Sequence, residues 1–268
     1  MQMTEFQETV WNYYHRNGRD LPWRRGGKDG SFDPYKILVS EIMLQQTQAQ
    51  RVIPKFLAFV EEFPTVQSLA ASPLANVLTL WNGLGYNRRA KYLWQAAHEI
   101  VTVHKSKMPS DVMKLITLPG VGANTAGAII AYSYNKPVVF IETNIRTIFI
   151  YHFFEGQEAV PDTAILPLVK QSLDHENPRE WYWALMDYGS YLKQTKGNHG
   201  RYSKHHVKQS RFEGSRREIR GLVVKALTKQ PLTKAQLARD IVDSRLEGVL
   251  QDLVSEGLIQ RYKNNYRL

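Results

Sequence analysis

An apolar pattern of helical period, cut at short intervals by Pro and Gly, narrows the fold more than any other feature of this sequence. Thr4 to Arg16, Asp33 to Pro64, Leu74 to Leu80, Ala90 to His104 and Asp111 to Leu118 all carry apolar residues three or four apart. Breaks fall at Pro22, Gly26, Gly27, Pro54, Pro64, Pro73, Pro119 and Gly120. Strand signals are few. Val138 to Ile141 is a short β-branched run between helical stretches, which suits an extended lead-in to a helix. The pattern predicts an all-α fold. The 268 residues suffice for one or two domains with a buried core. No apolar run reaches the roughly 18 residues that span a bilayer. Met1 to Tyr14 mixes Glu, Gln and Asn with aromatics, unlike a secretory signal. The expected compartment is the cytoplasm.

Charge and cysteine content restrict the chemistry. Lys and Arg number 35 against 25 Asp and Glu, a net charge of +10. A pI near 9.6 suits nucleic-acid binding, although a basic protein with no special partner has the same balance. There is no cysteine. Disulfides, thiol catalysis and cysteine-ligated zinc or iron–sulfur sites are therefore excluded.

The composition shifts from Lys193 to Arg217, which is polar and crowded with Lys, Arg and His. Residues 193–214 read as a basic linker or loop. Lys193, Lys196, Arg201, Lys204, Lys208 and Arg211 are either phosphate contacts or a solvated charge run. Beyond it, Arg216 to Thr228, Lys234 to Val242 and Leu246 to Glu256 have helical spacing. Leu258 to Leu268 reads as strand, turn at Asn264-Asn265, strand. Residues 215–268 are thus expected to form a winged-helix module, which serves DNA binding, protein contacts or packing.

Leu118-Pro119-Gly120-Val121-Gly122 joins two helical stretches. Its glycines permit a tight turn, and the free N–H groups of the helix starting near Asn124 suit a phosphate oxygen. A plain helix–helix turn accounts for these five residues equally well. The longer segment Leu118 to Ile130, LPGVGANTAGAII, resembles the hairpin of the helix-hairpin-helix (HhH-GPD) DNA glycosylase superfamily. Arg19 to Arg24 (RDLPWR), Ser40 to Gln48 (SEIMLQQTQ), Leu80 to Ala90 (LWNGLGYNRRA) and Ala184 to Gly189 (ALMDYG) resemble, in order, its adenine-specific mismatch branch, the MutY type. The resemblance runs from about residue 5 to 192. It implies a two-lobed helix-hairpin-helix glycosylase domain over residues 1–192. The implied partner is double-stranded DNA with a mismatch or lesion, bound by a monomer near the nucleoid.

The resemblance also implies roles for particular residues. Cutting an N-glycosidic bond requires a proton on the leaving group and a carboxylate beside the cationic sugar. Glu41 matches the family's proton donor and lies among Ile37, Leu38, Val39, Ile42, Met43 and Leu44, where partial burial would favour its protonated form. Without that context it reads as an exposed helix glutamate. Glu142 stands where the family has aspartate, one methylene longer, so it either does the same work or marks altered catalysis. Asn144 matches the family asparagine beside it, or serves as a helix N-cap. Asn124 replaces the amine nucleophile of the endonuclease III branch and cannot form a Schiff base, which implies a monofunctional enzyme.

Leu44, Gln46, Thr47 and Tyr86, with Leu118, Gly120, Val121, Gly122 and Arg146, match DNA-contacting positions. For Leu44 and Tyr86, core packing is the bland alternative. Arg19, Leu21, Trp23 and Asp187 match positions around the flipped base, with core packing again open for Trp23. The family's four cluster cysteines would begin near Lys193. No cofactor is expected, and a cation at the hairpin stays open. The 55 or so residues after Gly214 are too few for the family's large C-terminal inspection domain. The implied activity is excision of adenine opposite G or 8-oxoguanine. A glycosylase for T or U opposite G, or a non-catalytic lesion sensor, are the alternatives.

Overall fold

The computed structural model describes residues 1–208 and 211–268. Residues 209 and 210, inside the expected basic stretch, lie outside the described residues. Helices are α1 (Met3–Asn17), α2 (Pro34–Leu44), α3 (Ala49–Glu62), α4 (Val66–Ala71), α5 (Leu74–Trp81), α6 (Arg88–Thr102) and α7 (Val112–Leu115). They continue as α8 (Ala123–Tyr134), α9 (Thr143–Phe153), α10 (Asp162–Ser172), α11 (Pro178–Thr195), α12 (Arg216–Leu227), α13 (Lys234–Asp240) and α14 (Leu246–Ser255). Short 3₁₀ turns occupy Pro22–Arg24 and His199–Tyr202. The strands are β1 (Leu232–Thr233), β2 (Gln260–Tyr262) and β3 (Asn265–Arg267), antiparallel in the order β1-β3-β2. The all-α expectation holds among the described residues, with the small sheet in the C-terminal segment where a strand–turn–strand was expected. No helix among the described residues is long and apolar enough to cross a membrane.

The contacts divide the chain into two compact units. The first comprises Met1–Leu38, Ser110–Thr117 and Val121–Lys208. At its centre are α8, where every residue from Ala126 to Ser133 is buried, and α11, which buries Trp181, Tyr182, Trp183 and Leu185 among others. A helix apolar on all sides belongs in the middle of a core. Phe6 and Val10, four apart on α1, bury one stripe, and the Phe6 ring lies 5.0 Å from Phe149 of α9 and 6.2 Å from Trp181. The run at 138–141 is extended, as expected. Tyr182 pins it, donating its hydroxyl proton to the Val138 carbonyl at 2.7 Å and stacking on Phe140 at 4.1 Å.

The second unit comprises Val39–Pro109, Leu118–Gly120 and Gln209–Leu268. Val52, Phe56 and Phe59 form the buried stripe of α3, and Phe59 meets Trp81 edge-on at 6.2 Å. Burying a side chain of that size contributes about 1.5–3 kcal/mol. The 33–64 run was expected to break at Pro54, but Pro54 lies inside α3 and the structure divides the run at Gln45–Gln48. Gln46 takes φ +54°, a left-handed conformation that no helix continues through. In the C-terminal segment, α12, α13 and α14 match the expected helices. The turn falls at Lys263-Asn264, with Lys263 at φ +53°, one residue earlier than expected.

Close approach of α11 to the start of α9 depends on Gly189. A β-carbon there would meet the Asn144 carbonyl oxygen at 2.7 Å and its Cβ at 2.8 Å. Gly189→Ala should cost about 1–3 kcal/mol through overpacking. Gly221→Ala on α12, where nothing lies within 4 Å, should be neutral or raise stability by up to about 1 kcal/mol. Urea unfolding of the two variants checks both signs.

Candidate active site

In the second unit the residues matching the duplex-entering positions lie on two loops. One is Leu44–Thr47, at the end of α2; the other is Leu84–Tyr86, before α6. Gln46 and Tyr86 both have positive φ, +54° and +49°, which costs a non-glycine residue about 1–3 kcal/mol and persists only where neighbours enforce it. Arg89 is the enforcing neighbour. Buried at the first turn of α6, its guanidinium donates to the carbonyls of Ile42 (3.0 Å), Met43 (2.9 Å) and Gln45. It also donates to the Thr47 hydroxyl (3.0 Å) and the Gly85 carbonyl (3.2 Å). One cation thus closes the end of α2, where a positive charge complements the helix dipole, and clamps both loops. Burial pushes the Arg89 pKa down to about 10, so it remains charged at neutral pH.

Glu41 sits on the last turns of α2, half-buried, beside fully buried Ile42 and Met43. Leu44, Thr47 and Tyr86 are half-buried and Gln46 is exposed, so Leu44 and Tyr86 are not fully buried core residues. Gln45 donates its amide N–H to the Gly120 carbonyl at 3.2 Å, which ties this loop to Leu118–Gly120. Gly120 has φ +80° and lies against Tyr92, whose Cβ would be 2.8 Å from an added methyl group. Only glycine fits there. Gly122 has an ordinary φ of −88° and caps α8 without a side-chain bond. Leu118 and Val121 are buried, while Gly122, Ala123 and Asn124 present the start of α8 to solvent.

The second carboxylate belongs to the first unit. Glu142 caps α9: its Oε1 accepts the N–H groups of Asn144 (2.7 Å) and Ile145 (3.1 Å). The Thr143 hydroxyl donates to Oε2 at 3.2 Å. The N-cap is therefore Glu142 and not Asn144. The Asn144 side chain is held by α11 instead, with Nδ2 3.9 Å from the Met186 sulfur and Oδ1 2.7 Å from the Lys193 ammonium. Lys193 also donates to Thr143 Oγ1 at 3.2 Å. Lys193 was expected to open a basic linker or loop, as a phosphate contact or a solvated charge; the structure puts it on α11 with its charge turned inward. Burial lowers its pKa, against the pull of Glu142 in the other direction. Asn124 sits behind this group, its Oδ1 accepting the Ile141 N–H at 3.3 Å, one residue before Glu142. Arg146 is committed to Asp162 by two bonds of 2.7 Å.

Asp187 is a hub for the RDLPWR segment. Its carboxylate accepts the backbone N–H of Arg19 (2.7 Å), Arg19 Nε (2.7 Å) and both terminal nitrogens of Arg24 (2.8 Å each). Burial alone would push its pKa up, but Arg24 and Arg19 outweigh burial and hold the carboxyl below its usual range. Leu21 and Trp23 are buried beside them. A separate cavity of about 260 Å³, lined by residues such as Tyr151, Glu158 and His199, contains none of these side chains.

Residues 39–164 match the family of HhH-GPD superfamily base excision DNA repair proteins. The chain is 32% identical over 272 aligned positions to a protein named adenine DNA glycosylase from Mycolicibacterium smegmatis, covering 93% of this chain and 91% of that one. It belongs to this glycosylase family. Relatives of the same name from Mycobacterium tuberculosis (43% identical) and Homo sapiens (32%) align over 51% and 70% of this chain. The chain spans less than half their length, 43% and 36% respectively. The fold matches that of a thermostable thymine-DNA glycosylase, with TM-score 0.62 and 23% identity over 70% of this chain and 86% of that one. It also matches endonuclease III from a non-covalent DNA complex, with TM-score 0.59 and 13% identity over 73% and 89%.

Arg24 and Arg89 were not singled out in the sequence, although both lie inside quoted segments, and Lys193 was named only as one of a run of basic residues. Asp187→Asn should cost about 3–5 kcal/mol at neutral pH by leaving Arg24 uncompensated. Because the folded pKa is depressed, the stabilisation is present above the unfolded carboxyl range and is lost as pH falls through the folded value. The Tm gap between wild type and Asp187→Asn should therefore narrow below about pH 4. Arg89→Met should orphan several carbonyls at about 1–3 kcal/mol each. A denaturant midpoint equal to wild type would remove Arg89 from its clamping role.

Proposed function

We propose that this protein is a monofunctional DNA glycosylase that flips adenine out of mispairs with G or 8-oxoguanine and hydrolyses its N-glycosidic bond. The observation that carries this reading is the anchored carboxylate of Glu142 at the head of α9. Three donors on its oxygens keep the longer side chain's carboxylate in one orientation. Glu41, half-buried at the end of α2, supplies the acid.

In this mechanism Glu41 protonates a ring nitrogen of the flipped adenine. The C1′–N bond breaks, its electron pair leaves with adenine, and positive charge develops at C1′. The Glu142 anion stabilises that charge without reorganising, because helix N–H groups already orient it. Water adds to C1′ and loses a proton, giving an abasic sugar. Asn124 offers no amine, and its amide oxygen is engaged by Ile141. The start of α8 at Gly122–Asn124 suits a DNA phosphate, and the net charge of +10 favours a polyanionic partner. No cofactor enters this scheme.

Incubating the protein with a panel of duplexes, A opposite G, A opposite 8-oxoguanine, and T or U opposite G, tests the substrate directly. Alkali-labile sites should form at adenine. Cleavage only at T or U would overturn the assignment. Glu41→Gln should slow single-turnover excision by about 10²–10⁴-fold with DNA affinity nearly unchanged. Glu142→Gln should be inactive and Glu142→Asp substantially active; equal rates for wild type and Glu142→Gln would end the catalytic role of Glu142. Borohydride should trap no covalent adduct.

A further inference from the structure

Tyr86 is bonded to a part of the chain that the reaction does not explain. Its backbone is left-handed at φ +49°, between Gly85 at φ +73° and the first turn of α6. Its hydroxyl accepts a hydrogen bond from Nη1 of Arg217, the second residue of α12. The Arg217 guanidinium lies 5.2 Å from the centre of the Tyr86 ring, and that of Arg89 lies 5.4 Å from it. Tyr86 and Arg217 are half-buried.

Around this contact α12 and α14 are fastened to α6 by a cluster of charges. Glu256 receives bonds from Arg88 on α6 and from Arg220 on α12, and Lys91 donates to its carbonyl. Arg216 pairs with Asp252 at 2.7 Å, holding the first turn of α12 to α14. The start of α12 is thereby fixed from two sides, and Arg217 reaches Tyr86 from a rigid base. A long, rotamer-rich arginine so held loses little further entropy in forming its bond. The tyrosine it grips needs such a partner, because a left-handed bulky residue relaxes unless its surroundings enforce the conformation.

On the reading that Tyr86 enters the duplex when the base is flipped, we infer that Arg217 is a positioning residue for that tyrosine. The C-terminal segment then does more than add positive charge. It presets the side chain that fills the gap in the stack, and its effect falls on flipping and excision more than on affinity. A simple DNA tether would act in the opposite way, changing affinity and its salt dependence and leaving the bound complex unaltered.

The test uses the full chain with Arg217→Ala, Arg217→Lys, Tyr86→Phe and the double variant Arg217→Ala/Tyr86→Phe. Two quantities are read: single-turnover excision at saturating A-containing mismatch, and fluorescence of 2-aminopurine placed beside the target base, which reports unstacking without chemistry. Arg217→Ala should slow excision about tenfold and lower the fluorescence rise, as expected for losing one charged hydrogen bond. Arg217→Lys should restore part of both. Tyr86→Phe should reproduce much of the loss, and the double variant should be no worse than the poorer single one, since both remove the same contact. Loss of affinity with unchanged fluorescence, or losses that multiply in the double variant, would overturn the inference. So would a fluorescence rise in Tyr86→Phe equal to wild type. The fluorescence arm separates this inference from the proposed activity: a wild type that unstacks the base through Arg217 and Tyr86 but excises nothing leaves the positioning role standing and removes the activity.

Discussion

The most demanding interaction in this protein is the burial of Arg89. A guanidinium taken out of water is tolerated only where acceptors surround it. Here those acceptors are backbone carbonyls freed by the end of α2 and by the loop before α6. The requirement runs both ways. The carbonyls would be stranded without the arginine, and the arginine would be costly without them. The outcome is that two loops with strained residues at their tips, Gln46 and Tyr86, have one defined conformation before any ligand arrives. A binding surface made in advance loses less entropy on binding than one that must order itself.

The first unit solves a related problem with a helix end. Glu142 satisfies two of the orphan N–H groups of α9, and in return the helix fixes a carboxylate whose extra methylene would otherwise let it wander. Asn144 is gripped at both ends of its amide by α11, so the first turn of α9 cannot rotate relative to that helix. Lys193 closes the arrangement through Thr143 and Asn144. The side chains of α11 thus anchor the first turn of α9.

Much of this was readable in the sequence, and what was not has physical causes. The helices around Phe6, Phe59 and Trp181 follow from spacing, because burial of one stripe is a periodic property. Glu41, Glu142, Asn124 and Gly120 were named as candidates through their motifs, and their roles belong to the proposed function. The break in the 33–64 run was not legible, since Gln45–Gln48 carries neither Pro nor Gly and its φ reversal is imposed by Arg89, more than forty residues away. Lys193 was misread for the same reason. Its local context is basic and polar, and its partners, Thr143 and Asn144, lie about fifty positions earlier. The two-residue strand β1 is too short to carry alternation of its own.

Met186, Asp187, Gly189 and Lys193 all occur within two turns of α11, and each meets a different demand. At about 1.5 Å per residue, the carboxylate that holds Arg19 and Arg24 is only about 9 Å along the axis from the ammonium that holds Asn144. The helix therefore works as a ruler with fixed graduations. One residue inserted or removed between 187 and 193 would swing one set of anchors about 100° from the other. Tolerance along this stretch is thus uneven: the solvent-facing side of α11 can change in kind, but the interval from 187 to 193 cannot change in length.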